Sequence, residues 1–111
     1  MPAPTIVIAQ SDPAIAERMA KDLHAHFARV AVAQDPEELR EMLQRHEARV
    51  AVLDLEFLNM DEIRDLAESC GDLMIVCTHR LPDEQMWMDA LSAGAVEFCH
   101  PCGSTNQRMR L

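Results

Sequence analysis

Asp54 stands where the unbroken apolar run Val50-Ala51-Val52-Leu53 stops. A run with no polar break is covered on both sides when folded, so a carboxylate at its end lies at the mouth of a buried strand. Open α/β sheets place their chemistry at such strand mouths, where a carboxylate can act as a nucleophile or accept hydrogen bonds from loop amides. A second constellation is Cys99-His100-Pro101-Cys102. A Cys-x-x-Cys pair can switch redox state or supply half of a zinc site, with His79 or His100 as further ligands. A thioredoxin-like pair, however, precedes a long helix whose N-terminus lowers the thiol pKa, and this pair follows the last apolar run of the chain. A structural zinc would need ligands from separate loops. The plainer reading is two small, half-buried thiols.

The elements that must position these residues alternate strictly. Thr5 to Ala9, Val30 to Ala33, Val50 to Asp54, Leu73 to Cys77 and Ala95 to Phe98 read as five short buried strands. Between them lie four helical patterns. Asp12-Pro13 is an N-cap with proline at the first helical position, ahead of a stripe Ile15, Met19, Leu23, Phe27 at every fourth residue. Asp35-Pro36-Glu37-Glu38 reads as a capping box opening a helix that buries Leu39, Met42 and Leu43. Asn59 to Glu62 is another capped start, with Ile63, Leu66 and Ala67 inward and Gly71 supplying left-handed backbone at the end. Pro82 opens a fourth helix carrying Met86, Trp87, Ala90 and Ala93, and Gly94 ends it. Each strand-to-strand crossover must pack a helix back onto a sheet face, so the pattern predicts one parallel five-stranded sheet.

Composition agrees with one domain over residues 1–111, because 111 residues, 49% of them hydrophobic, can close one core and not two. Ten basic against nineteen acidic side chains give a formal charge of -9, which repels nucleic acid and anionic membranes. Arg108 and Arg110 are too few to reverse that. No apolar run approaches the ~20 residues of a membrane span and no basic-then-apolar leader opens the chain, which points to the cytoplasm. The four cysteines, scattered through apolar or helical context, read as reduced thiols. Met42, Met60, Met74 and Met86 fit core stripes, whereas Met88 lies off the inward face of its helix.

Four stretches together give the chain a family resemblance over nearly its whole length. Val52-Leu53-Asp54-Leu55 with Asn59-Met60-Asp61, Ile75-Val76-Cys77-Thr78, and Ser92-Ala93-Gly94-Ala95-Val96-Glu97-Phe98 resemble segments of the receiver domains of bacterial two-component response regulators. The resemblance implies a three-layer flavodoxin-like (CheY-like) fold with strand order 2-1-3-4-5. The fifth helix would be truncated or missing, with residues 103–111 as its stub or a tail and Ser104 to Gln107 as its capping box.

In that family the position of Asp54 is the phosphoacceptor, that of Thr78 contacts the phosphoryl group, and that of Phe98 carries an aromatic switch. Read from the residues alone, Thr78 is also an ordinary β-branched strand end and Phe98 an ordinary core aromatic. The family's acidic pair for magnesium aligns with Gln10 and Ser11, with Asp12 one position late and occupied as a helix cap. The family's lysine aligns with His100 or Pro101, and the only lysine in the chain is Lys21, on the first helix. Magnesium would keep only Asp54 and the backbone carbonyl of Glu56, so binding is expected to be weak or absent. These departures imply an atypical receiver that works as a signalling interaction module with a degenerate phosphorylation pocket, not as an enzyme. The alternatives are a working phosphoacceptor that phosphorylates itself at Asp54, and a thiol or metal sensor through Cys99 and Cys102. The implied partners are a sensor kinase or downstream regulator, and a second copy joined through the surface of the fourth helix and fifth strand.

Overall fold

The structure, a computed structural model, describes residues 5–27, 29–45, 48–81 and 83–99. Strands and helices alternate: β1 (Thr5–Ala9), α1 (Pro13–Leu23), β2 (Arg29–Ala33), α2 (Pro36–Arg45), β3 (Val50–Asp54), α3 (Met60–Ser69), β4 (Met74–Thr78), α4 (Glu84–Ala93) and β5 (Glu97–Cys99). All strand pairs are parallel, and the sheet order is β2-β1-β3-β4-β5. This is the flavodoxin-like order that the resemblance implies. Residues 100–111, and with them the expected stub of a fifth helix, lie outside the described residues.

Side-chain alternation along the strands sorts the core into two layers. Val7, Ala9, Ala51, Leu53, Ile75, Cys77 and Phe98 face α2, α3 and α4, and pack with Leu39, Leu43, Ile63, Leu66, Ala90 and Ala93. Ile6, Ile8 and Val52 face the other way, where α1 supplies Met19. Among the described residues α1 is the one helix on that second face.

The caps fix where the helices start. Asp12 Oδ1 accepts the amides of Ala14 and Ile15 at 2.9 and 3.4 Å, and Asn59 and Glu62 close a reciprocal capping box at 2.8 and 3.1 Å. At α2, Asp35 Oδ1 accepts from Glu38 N–H at 2.7 Å. Glu38 in turn accepts from the amide of Gln34 at 3.2 Å, so the box there is stretched by one residue. The start of α4 differs from the expected one: Asp83 caps it through Met86 N–H at 2.8 Å and the helix begins at Glu84. Pro82 lies outside the described residues.

Other departures have local causes. Gly71 is not a left-handed cap; α3 ends on Cys70 at φ -122, and among the described residues Gly94 is the positive-φ glycine, at φ 118. β4 starts at Met74 because the Leu73 amide donates to Cys70 O at 2.9 Å in a turn. β5 starts at Glu97 because the Ala95 amide closes the end of α4 on Ala90 O at 3.0 Å. α1 stops at Leu23, and Phe27 rejoins its stripe through a turn, its amide on Leu23 O at 2.9 Å. Met74 is not core: it is 53% exposed. No helix among the described residues is long and apolar enough to cross a membrane.

Candidate functional site

Parallel pairing brings the C-terminal ends of β1, β3 and β4 to one edge. Ala9 pairs with Leu53 and Asp54 with Thr78, so Gln10, Asp54 and Thr78 leave the sheet side by side. All three are buried, and Asp54 is 0% exposed. A carboxylate without water must find its donors within the protein. Asp54 Oδ2 accepts from Gln10 Nε2 and from Thr78 Oγ1, each at 3.0 Å. Oδ1 accepts from the Glu56 amide at 2.8 Å, an Asx-type turn. Gln10 is itself oriented, because its Oε1 accepts from Asp12 N–H at 3.1 Å, which leaves its amide nitrogen aimed at Asp54. Among the described residues no buried side-chain nitrogen or oxygen lacks a partner.

Around this buried cluster runs a charged rim. Glu56 Oε1 accepts from Arg80 Nη2 at 2.9 Å and Nε at 3.2 Å, with His79 Nε2 at 3.9 Å. His79 Nδ1 accepts from the Leu81 amide at 3.0 Å, so in the neutral ring the proton sits on Nε2, towards Glu56. The hydrogen bond from Arg80 holds the Glu56 carboxyl below its ordinary pKa. Arg80 is pushed up, first by that bond and by the charge of Glu56, with smaller contributions from Asp12 and Asp54. A guanidinium thus stands at the mouth of the pocket, committed to Glu56. Nothing in the sequence pattern marks Arg80 on its own. The available signal is an offset: Asp54 and Thr78 are paired across β3 and β4, so the residues two positions beyond each, Glu56 and Arg80, must meet above them.

The remaining expected residues fall as follows. Ser11 is exposed, and Asp12 is engaged as the α1 cap. Phe98 is fully buried in the larger core layer. Cys77 is buried there too, and desolvation, with lesser contributions from Cys99 and Asp54, pushes its thiol up to about 12. Cys99 is half-buried, while His100, Pro101 and Cys102 lie outside the described residues.

The donor set does not fit magnesium, which takes hard oxygens in near-octahedral array. Where a second carboxylate would face Asp54 there is the amide nitrogen of Gln10, a donor that repels a cation. The other nearby carboxylates, Asp12 and Glu56, are spent on the α1 cap and on Arg80. Among the described residues no three His, Cys, Asp or Glu side chains are grouped to hold a metal.

A five-stranded parallel sheet in this order, with helices on both faces and a hydrogen-bonded carboxylate and hydroxyl at its strand mouths, defines the class: a flavodoxin-like α/β domain. No protein-family model and no curated protein sequence matches the chain. Solved structures do. The signal receiver domain of a DNA-binding response regulator (merR) from Colwellia psychrerythraea 34H superposes with a TM-score of 0.84 at 15% identity, covering 93% of this chain and 90% of that one. A response regulator from Thermotoga maritima gives 0.83 at 17% identity, over 91% and 87%. The signal receiver domain of the response regulator NarL from Mycobacterium tuberculosis gives 0.80 at 16%, over 96% and 90%. The chain has the fold of the response regulator receiver domains; at these identities the likeness is one of fold.

Proposed function

We propose that this chain is an atypical receiver domain that signals by binding other proteins, and that Asp54 is a fixed hydrogen-bond hub and not a phosphoryl acceptor in use. One observation carries the reading: the Gln10 amide donates to Asp54 Oδ2 beside the Thr78 hydroxyl, while the Glu56 amide holds Oδ1. These donors fill both lone-pair positions of Oδ2 and one of the two on Oδ1, so attack on phosphorus is confined to the remaining position of Oδ1 unless a donor leaves. The incoming phosphoryl charge would then need a cation, and Arg80 is already paired. A charge-assisted hydrogen bond contributes ~1.5–3 kcal/mol, so the internal donors compete well against a weak metal. The natural partners of such a module are a sensor kinase or a downstream regulator in the cytoplasm. A second copy is a further candidate, through the α4 and β5 side, where Met88 and Val96 are 48% and 54% exposed.

The rival reading, a working acceptor at Asp54, is favoured by the Thr78 hydroxyl lying within hydrogen-bond distance of the carboxylate. Incubation with acetyl phosphate, with and without magnesium, followed by intact mass measurement separates the two. The proposal expects no phosphoryl adduct. An adduct in good yield that disappears in Asp54→Asn would establish the rival.

A further inference from the structure

The face of the sheet that carries α1 is only part covered. α1 packs over β1 and β2, and beside it a groove of about 350 Å³ runs between Met19, Leu23 and Phe27 on one side and Val50, Val52 and Val76 on the other. A parallel sheet of apolar strands is stable when both faces are covered. The opposite face has three helices; this one has, among the described residues, one. Thr78, at the C-terminal end of β4 and bonded to Asp54 through its hydroxyl, also lines the groove. Among the described residues the one charged side chain lining it is Asp22.

We propose that this groove is the docking site for a helix of another protein, amphipathic, with an apolar stripe at i, i+3 and i+4 spacing and basic residues on its flank. The dimensions call for a helix. Strands of five residues span ~17 Å, which ~11 helical residues match, the length of α1 itself. The sign of the flank follows from Asp22, which lines the groove, and the net charge of -9. A second copy does not supply such a helix: the apolar stripes of α2, α3 and α4 are buried against the other face, and that of α1 already lines the groove. In the segment 100–111 the large apolar residues are Met109 and Leu111. At a spacing of two these cannot share one helical face. The site lies on a different surface from the rim of Glu56 and Arg80, and the proposal stands whether or not Asp54 accepts a phosphoryl group.

The test uses the full chain and two synthetic peptides of about 18 residues, long enough to be helical. Both carry the same leucine stripe, one flanked by lysine and the other by glutamate. Calorimetric titration is expected to show saturable micromolar binding of the lysine peptide and about tenfold weaker binding of the glutamate peptide. Asp22→Lys, at an exposed site that leaves the core intact, is expected to reverse that preference. Amide shifts on binding should map to α1, β3 and β4. Absence of saturable binding, equal affinity for the two peptides, or an unchanged preference in Asp22→Lys overturns the proposal. So does a nuclear Overhauser contact from Met109 or Leu111 to the Val76 methyls in the free chain, which would put the chain's own segment in the groove.

Discussion

Gln10 Nε2 lies 3.0 Å from Asp54 Oδ2, so a neutral amide donates a hydrogen bond to the carboxylate at the mouth of β3. An acidic residue at position 10 would instead set two like charges at that distance and demand a cation between them. The glutamine removes the demand and supplies the donor. With Thr78 and the Glu56 amide it completes the solvation of a side chain that no water reaches.

Gln10→Asp is therefore expected to destabilise the fold by ~2–4 kcal/mol in the absence of divalent ions, through a lost charge-assisted bond and a buried like-charge contact. The same change combined with Ser11→Asp should make stability depend on magnesium. Thermal unfolding of the double variant is expected to rise by ~4 °C or more in millimolar magnesium, equivalent to ~1 kcal/mol of linked binding, with no matching rise in the wild type. A wild-type rise as large as that of the variant would contradict the assignment of Gln10.

Much of this arrangement is legible in the sequence. Asp54 marks itself, because an acid ending a four-residue apolar run has few reasons to be there. The strand alternation and the caps at Asp12, Asp35 and Asn59 give the element order, since capping is local chemistry and needs no knowledge of the fold. What Gln10 does is not local. It depends on a pairing between residues 44 positions apart, which only the sheet register sets. The bond between Glu56 and Arg80 is hidden for the same reason. Met74 misleads in another way: its strand is apolar up to Thr78, but its own side faces the part of the sheet that α1 does not cover.

Acid should expose the rim. The Glu56 pKa is lowered by the bond from Arg80, so this pair contributes stability above the ordinary glutamate pKa and loses it as pH falls through the depressed folded value. Both side chains are partly exposed, which keeps the contribution small and salt-sensitive. Urea midpoints of the wild type and Arg80→Ala should differ at pH 7 and converge as pH falls below ~4.3. A difference that stays constant down to pH 3 would show that Arg80 acts by packing alone.

Alkali should act through Cys77. Burial raises its thiol to about 12, above the value of the unfolded chain, so the folded state holds a proton that the unfolded state releases. The resulting stability is complete below ~8.5 and is lost as pH climbs towards 12. The chain has no tyrosine and a single lysine, so few other groups mask the effect. Cys77→Val is expected to flatten the decline in stability above pH 9. In the folded wild type at pH 8, iodoacetamide should modify half-buried Cys70 well before Cys77; equal labelling rates would refute the buried, protonated thiol.

The two turn glycines should respond in opposite directions to the same substitution. Gly94 sits at φ 118, and a Cβ there would come 2.6 Å from the Cβ of Ala67, where α3 and α4 meet. Gly94→Ala therefore combines a backbone penalty of ~1–3 kcal/mol with a clash between two packed helices that can be relieved only by moving one of them. Gly71 follows α3 without a positive φ, and a Cβ there meets nothing within 4 Å. Gly71→Ala is expected to stabilise by ~0.4–1 kcal/mol, because it narrows the unfolded ensemble at no cost to the folded one. Urea unfolding of the two variants beside the wild type reads both signs. If Gly94→Ala left the midpoint unchanged, the close approach of α3 and α4 would have to be wrong. If Gly71→Ala lowered it by a comparable amount, the left-handed cap of α3 would have to be restored to Gly71.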